Sequence, residues 1–220
     1  MKVIPSEKKE FKLFHDIREL YEHLDLPTKD IDEEVGFSIQ DLKTIHSKLP
    51  YSSGLFRPDF FSFVFAKDSF GSYKTDNLSF EAIPGSVYFA RPGQSRSYIW
   101  TKINQAILIT VNEKFLKENV DKNIFREFPF LLTETVGYKV LNPKEYVNFE
   151  IIYEQIHKEY RSENPYRKRV IGRLFIVLLL RLKGHFWKDL SELKLNQDPK
   201  TASVFKRVFN AFLRIKDTHH

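Results

Sequence analysis

The stretch Pro84-Gly85-Ser86-Val87-Tyr88-Phe89-Ala90-Arg91-Pro92-Gly93-Gln94-Ser95-Arg96-Ser97-Tyr98 reads as two strands set around Pro-Gly turns. Gly supplies a backbone with φ > 0, Pro presets φ near −65°, and the aromatics mark a buried face. That combination predicts a hairpin corner beside the mouth of a small β-barrel. The same signals continue on both sides. Val35-Gly36-Phe37-Ser38-Ile39, Phe60 to Phe65, Gly71 to Lys74, Leu78 to Glu81, Val87 to Ala90, Ser97 to Trp100 and Ala106 to Val111 are short, aromatic and β-branched. Turn clusters at Ser52-Ser53-Gly54, Lys67 to Gly71, Thr75-Asp76-Asn77, Pro84-Gly85 and Pro92-Gly93 separate them. Seven such segments predict a barrel or sandwich over residues 35–135.

Outside that span the period changes from two to 3.6. Phe11, Phe14, Ile17, Tyr21 and Leu24 predict an amphipathic helix over 10–24, stopped by Pro27, within an N-terminal segment 1–34. Asn142-Pro143, Asn164-Pro165 and Asp198-Pro199 each place an N-cap before a Pro at the first helical position, and Glu145 completes a capping box. The stripes behind them are Phe149, Ile152, Tyr153, Ile156 and Tyr160, then Ile171, Leu174, Phe175, Leu178, Leu179, Leu182 and Phe186, then Ala202, Phe205, Phe209 and Phe212. A short helix near 112–120 follows the last strand. Residues 136–190 therefore read as a helical region, and 191–220 as a linker with the start of a further helix.

The middle helix also carries Ile176, Val177 and Leu180 away from its main stripe. A helix on a barrel needs one apolar face, so a second surface is expected to bury the rest. A homodimer through Ile171, Phe175, Leu178 and Leu182 is the expectation, with coverage by the other helices as its alternative.

Composition excludes several classes. The 220 residues include no Cys, which removes disulfides, thiolate metal sites and thiol nucleophiles and suits a reducing cytoplasm. The longest apolar run, Leu174 to Leu180, is far too short to span a bilayer, and Met1 to Lys9 lacks a signal-peptide core, so no membrane partner is expected. The net charge of +6 is spread among 29 acidic residues and does not by itself point to nucleic acid. No G-x-S-x-G elbow, P-loop or dinucleotide fingerprint is present. The 21 Phe and 10 Tyr either fill a core or line a cavity.

With barrel followed by helices, the chain resembles the sensor half of the AraC-type (arabinose-regulator) transcription factors, a cupin-like double-stranded β-helix, or jelly roll. Leu55-Phe56-Arg57-Pro58-Asp59-Phe60-Phe61 is similar to their first barrel motif, which reads Pro-His-Arg-His/Asp-Asp-Phe-Tyr. Pro84 to Tyr98 is similar to their Pro-Gly-Ser-aromatic-Phe…Pro-Gly-Gln stretch. Phe115-Leu116 and Phe128-Pro129-Phe130 resemble the segment after the barrel. The resemblance covers roughly residues 10–190. It implies an effector-sensing and dimerising domain, cut before the two helix-turn-helix units that contact DNA in that family. It implies an unidentified small-molecule effector, no cofactor, and lids at residues 1–9 and 25–34.

The cupin scaffold also serves metalloenzymes, and a stand-alone cupin-type enzyme, metal-dependent or isomerase-like, is the rival reading. Where those enzymes carry His and Glu ligands, this chain has Phe56, Pro58, Ser62 and Arg96, so no metal is expected. The resemblance makes Phe56, Arg57, Ser62, Tyr88, Arg91, Arg96 and Tyr98 the candidate ligand-binding set. Tyr98 takes a position that lines the pocket of sugar-sensing relatives, and Phe56, Phe60, Ser62 and Val64 share one strand face. Arg is suited to carboxylate or phosphate by its bidentate fork. The plain alternative stands beside it: rim arginines solvated or paired with Asp59, and Tyr98 in the core. A purely structural barrel, filled by Phe side chains and sensing nothing, is a third reading.

Overall fold

A computed structural model describes residues 12–32, 35–75, 78–132 and 137–196, with side chains to Phe186. The elements in order are β1 (Leu13–Phe14), α1 (Ile17–His23), β2 (Phe37–Asp41), α2 (Leu42–Ile45), β3 (Tyr51–Ser52), β4 (Arg57–Pro58), β5 (Phe61–Thr75), β6 (Ser79–Ala82), β7 (Ser86–Ala90) and β8 (Arg96–Val111). A short α3 (Glu113–Phe115) runs into a π-helical turn (Leu116–Val120). Then come α4 (Ile124–Glu127), a 3₁₀ turn (Pro129–Leu132), β9 (Tyr138–Val140), α5 (Pro143–Tyr160) and α6 (Arg167–Asn196). The class is mixed α/β, built on a mostly antiparallel sheet.

The sheet is not the closed shell that the turn pattern predicts. Its strands run β2-β8-β5-β7-β9, with β3 on β8 and β6 on β5, and the path never returns on itself. The reason lies in β5 and β8. Lys67 to Gly71 is not a turn but part of a continuous β5 that pairs with β8 from Phe61↔Val111 to Thr75↔Arg96, through register shifts between Ala66 and Gly71. Bulges bend and twist a strand without ending it. They also shift its parity, so that Val64 and Ala66 before them, and Tyr73 after, join one core cluster.

What closes that face is a helix rather than a strand. Phe14, Ile17, Leu20, Tyr21, Leu24 and Leu26 pack against Val64, Tyr73, Tyr88 and Trp100. The expected helix over 10–24 is shorter in the structure, because Leu13 and Phe14 are extended and pair in parallel with Arg57 and Pro58. Asp16 then caps α1, accepting from the Glu19 N–H at 3.0 Å. On the other sheet face Phe61, Phe63 and Phe65 alternate with the first set and meet α5 and α6. Both Pro-Gly turns form as read, with Gly85 at φ 87° and Gly93 at φ 76°. The Asn142–Glu145 capping box starts α5, whereas α6 begins two residues after Pro165, at Arg167. Asp198-Pro199 and the stripe from Ala202 lie outside the described residues.

The proposed dimer residues need correction. Ile171, Phe175 and Leu178 are 0% exposed and Leu182 1%, all within the core against the sheet and α5. A side chain with no accessible surface has nothing to offer a partner. Among the described residues, the exposed large apolar side chains of α6 are Val177 and Leu180.

Gly172 lets α6 approach the π-helical turn, since a Cβ there would sit 2.1 Å from the Asn119 carbonyl oxygen, whereas one at Gly184 would meet nothing. Gly172→Ala is expected to destabilise the fold by about 1–3 kcal/mol, read as a lower urea unfolding midpoint. Gly184→Ala, by contrast, should raise stability by about 0.5–1 kcal/mol. Equal effects at the two sites would refute the close-approach account.

Candidate functional site

Between α1 and the sheet lies a narrow cavity that admits the centre of a water-sized sphere over about 50 Å³. One water needs roughly 10–15 Å³ on that measure, so the slot holds a few waters as it stands. Its sheet wall comes from Ser62 and Val64 of β5, Tyr88 of β7, and Tyr98, Trp100, Leu108 and Thr110 of β8. Phe56, Phe60 and Leu42 add apolar surface, and Leu20, Tyr21, Leu24 and Leu26 supply the wall facing the sheet. Among the described residues no Asp, Glu or His lines it.

Arg96 is the single charge in this lining and is 1% exposed. It starts β8, exchanging backbone hydrogen bonds with Phe56 at 2.8 and 2.9 Å. Its Nη1 donates to the Ser62 hydroxyl at 2.7 Å, and its Nη2 to the carbonyl oxygens of Phe60 at 3.0 Å and Arg91 at 2.7 Å. The Tyr73 hydroxyl lies close to the same guanidinium. Its Nε has no partner. Every acceptor is neutral. Burial lowers the Arg96 pKa, and the nearby Tyr73 pulls it back up, yet a guanidinium stays charged in a protein. Among the described residues, therefore, the slot holds a buried cation without a counter-ion. Two further polar groups on its wall, the Tyr21 hydroxyl and Thr110 Oγ1, also lack partners.

Of the seven residues singled out in the sequence, Phe56, Ser62, Tyr88, Arg96 and Tyr98 come together on this slot. Arg57 and Arg91 do not. Arg57 is exposed, and its Nε donates to the Gly93 carbonyl at 2.6 Å. Arg91 turns away, its Nη1 donating to the Leu132 carbonyl at 2.7 Å, and it offers the slot only the backbone oxygen that Arg96 takes. The Asp59 carboxylate, considered as an arginine partner, sits 2.9 Å from His15 Nδ1. Sequence reading missed the α1 wall, Tyr73, Trp100 and Thr110. Alternation from Ser62 could have reached Thr110 through the strand pairing, but no local pattern announces that a helix forms a cavity wall.

Beside the slot, His46 is buried between the rings of Tyr51 and Tyr98, at centroid distances of 4.3 and 5.8 Å. Tyr98 hydrogen-bonds Tyr51, whose hydroxyl donates to the Leu24 carbonyl at 2.7 Å. Burial lowers the His46 pKa to about 4 and pushes Tyr98 well above its ordinary value. His46 is thus neutral in the fold. Below the unfolded pKa near 6.5 the unfolded chain takes up a proton that the folded chain refuses. Stability from this group is complete above about pH 6.5 and is lost as the pH falls towards 4. Thermal melts of His46→Phe should lose less Tm between pH 7 and 4.5 than the parent; parallel curves would contradict the assignment.

No protein-family model and no curated protein matches the chain. Among solved structures it is similar to an apo variant of ToxT from Vibrio cholerae, at 12% identity and TM-score 0.44, over 71% of this chain and 55% of that one. It is similar to the AraC-like transcriptional activator CuxR at 13% identity and TM-score 0.41, over 84% and 76%. A ToxT structure bound to a methylnaphthyl-butenoic acid gives 10% and 0.42, over 69% and 58%. ToxT and CuxR are AraC-family regulators. The chain spans a little over half the length of the ToxT chains it matches.

Proposed function

We propose that this chain is the effector-sensing part of an AraC-type transcriptional regulator, and that the slot beside Arg96 receives the effector. The order of motifs in the sequence supports the family, and the cavity supports the sensing. The effector we infer is a small monoanion with an apolar body, its acidic head against Arg96 and its body among Phe56, Phe60, Leu24 and Trp100. One observation carries this reading: a fully buried guanidinium whose partners among the described residues are all neutral, in a cavity lined otherwise by apolar and hydroxyl-bearing side chains. A buried charge is costly until it is paired, so an anion that reaches it without water is favoured on electrostatic grounds. Because the slot is narrow, such a ligand parts its walls on entry. That gives the two conformations between which a ligand can select.

The cupin-type enzyme is the weaker reading. Among the described residues no three His, Asp or Glu side chains gather as metal ligands would, and the slot lining has no general acid or base of those types. Under the sensor reading, DNA is contacted only through a C-terminal helix-turn-helix domain that is not among these 220 residues, and the regulator is a cytoplasmic homodimer. Among the described residues no helix is long and apolar enough to cross a membrane. For the dimer we favour the outward faces of α5 and α6, where Val147, Ile151, Val177 and Leu180 are 43–52% exposed.

Two measurements test these statements. Thermal-shift assays against aliphatic and aromatic monocarboxylates, their amides, and simple sugars should show acids raising Tm and amides failing to do so. A ligand at 100-fold its Kd gives about 2.7 kcal/mol. Arg96→Gln, which removes the charge, should abolish the acid effect, while Arg96→Lys, which keeps it, should retain part of it. Stabilisation by neutral members alone would reject the anionic effector, and a flat response to the whole panel would favour a purely structural sheet. Sedimentation velocity of Leu180→Glu should give a monomer where the parent gives a dimer; two identical profiles would place the interface elsewhere.

A further inference from the structure

The walls of the slot differ in how firmly they are held. Its strand wall belongs to the continuous β5–β8 ladder. The wall made by α1 is held by side-chain packing, by the Tyr51–Leu24 hydrogen bond to β3, and by the pairing of Leu13 and Phe14 with Arg57 and Pro58 in a two-stranded sheet of their own. A ligand that parts the slot therefore displaces α1 and Leu26.

Beyond Leu26 the chain is fastened to a distant part of the fold. The Tyr160 hydroxyl donates to the Asp30 carbonyl at 3.0 Å and accepts the Asp32 N–H at 3.0 Å. The Asp32 carboxylate pairs with Arg167, and Arg161 lies 3.9 Å from Asp30. From α1 itself, Arg18 Nη2 donates to the Ile31 carbonyl at 3.0 Å. Tyr160 is the last residue of α5 and Arg167 the first of α6. Ile31 is buried in the core beneath α1, while Tyr160 belongs to the core on the other sheet face.

We propose that residues 30–32 are a clasp through which movement of the α1 wall reaches the corner between α5 and α6. This rests on the sensor reading given above, and adds to it the route by which occupancy is reported. From that corner α6 runs 30 residues, about 45 Å, as one helix. A small rotation at its start is carried to its far end as a larger displacement. The clasp joins two elements more than 120 residues apart in sequence with hydrogen bonds that have two discrete states, made or broken. That is what a coupling element requires.

Coupling between two sites is reciprocal, so it can be read without any ligand by loosening the clasp from the helix side. Tyr160→Phe removes both hydroxyl bonds and keeps the ring that packs against Phe37. Arg167→Gln removes only the half-exposed ion pair. Hydrogen exchange followed by mass spectrometry on the full chain is expected to show amides 17–26 exchanging roughly five- to tenfold faster in both variants, with β5 and β8 unchanged. Unchanged protection over 17–26 in both variants overturns the clasp, and so does acceleration spread evenly over β5 and β8, which reports general destabilisation. Either result leaves the ligand panel to decide the sensor reading separately.

Discussion

A buried guanidinium whose partners among the described residues are all neutral is the constraint around which this part of the fold is arranged. Arg96 opens β8, and its donors reach the Ser62 hydroxyl on β5, the Phe60 carbonyl just before it, and the Arg91 carbonyl ahead of the Pro92-Gly93 turn. It thereby ties three stretches of chain that backbone pairing joins only in part. Removing one partner from a buried charge leaves the full desolvation penalty on that charge. The geometry of Ser62, Phe60 and Arg91 is therefore set as firmly as that of Arg96. Holding the cation in place and receiving an anion are compatible, because the neutral acceptors occupy Nη1 and Nη2 and leave Nε and the charge itself uncompensated. A cation fixed in advance loses little entropy when a ligand arrives.

The residues that were legible in the sequence are those whose local chemistry and tertiary role agree. Asn142, Pro143 and Glu145 form the capping box they spell, and Gly85 and Gly93 take the positive φ their turns demand. Alternation placed Phe56, Phe60, Ser62 and Val64 on one lining, and the family resemblance added Tyr98. The failures share a cause. Asp68-Ser69-Phe70-Gly71 has turn composition, yet it pairs with β8 through bulges, and the parity of β5 changes across it. Tyr73 therefore faces the slot on a count that simple alternation cannot reach. Arg57 and Arg91 were drawn to the mouth by their closeness in sequence to the turns, but a backbone carbonyl satisfies each elsewhere.

The stripe on α6 teaches the same lesson in packing. Ile171, Phe175, Leu178 and Leu182 recur at helical spacing, and that spacing says one face is buried without saying against what. Here the answer is the chain's own sheet: Phe175 meets Phe37 and Phe63 edge-on, at 5.7 and 5.3 Å. The surplus apolar residues, Val177 and Leu180, point outward instead. A helix with two apolar faces thus separates into one that makes the monomer and one left over. Only the second is open to a partner.

If the slot receives a ligand, as proposed, a helix suits its closing wall better than a further strand would. A strand in that position would add ladder hydrogen bonds along its length, and a ligand would have to break several together to enter. An amphipathic helix contributes apolar area through Leu20, Leu24 and Leu26, and area can be exchanged gradually, ligand surface replacing helix surface against the same wall. The cost of opening then falls on a few identified contacts, at Tyr51, at the β1–β4 pair and at residues 30–32. The free energy of ligand entry is thereby concentrated on that boundary, while the β5–β8 ladder behind it keeps its register.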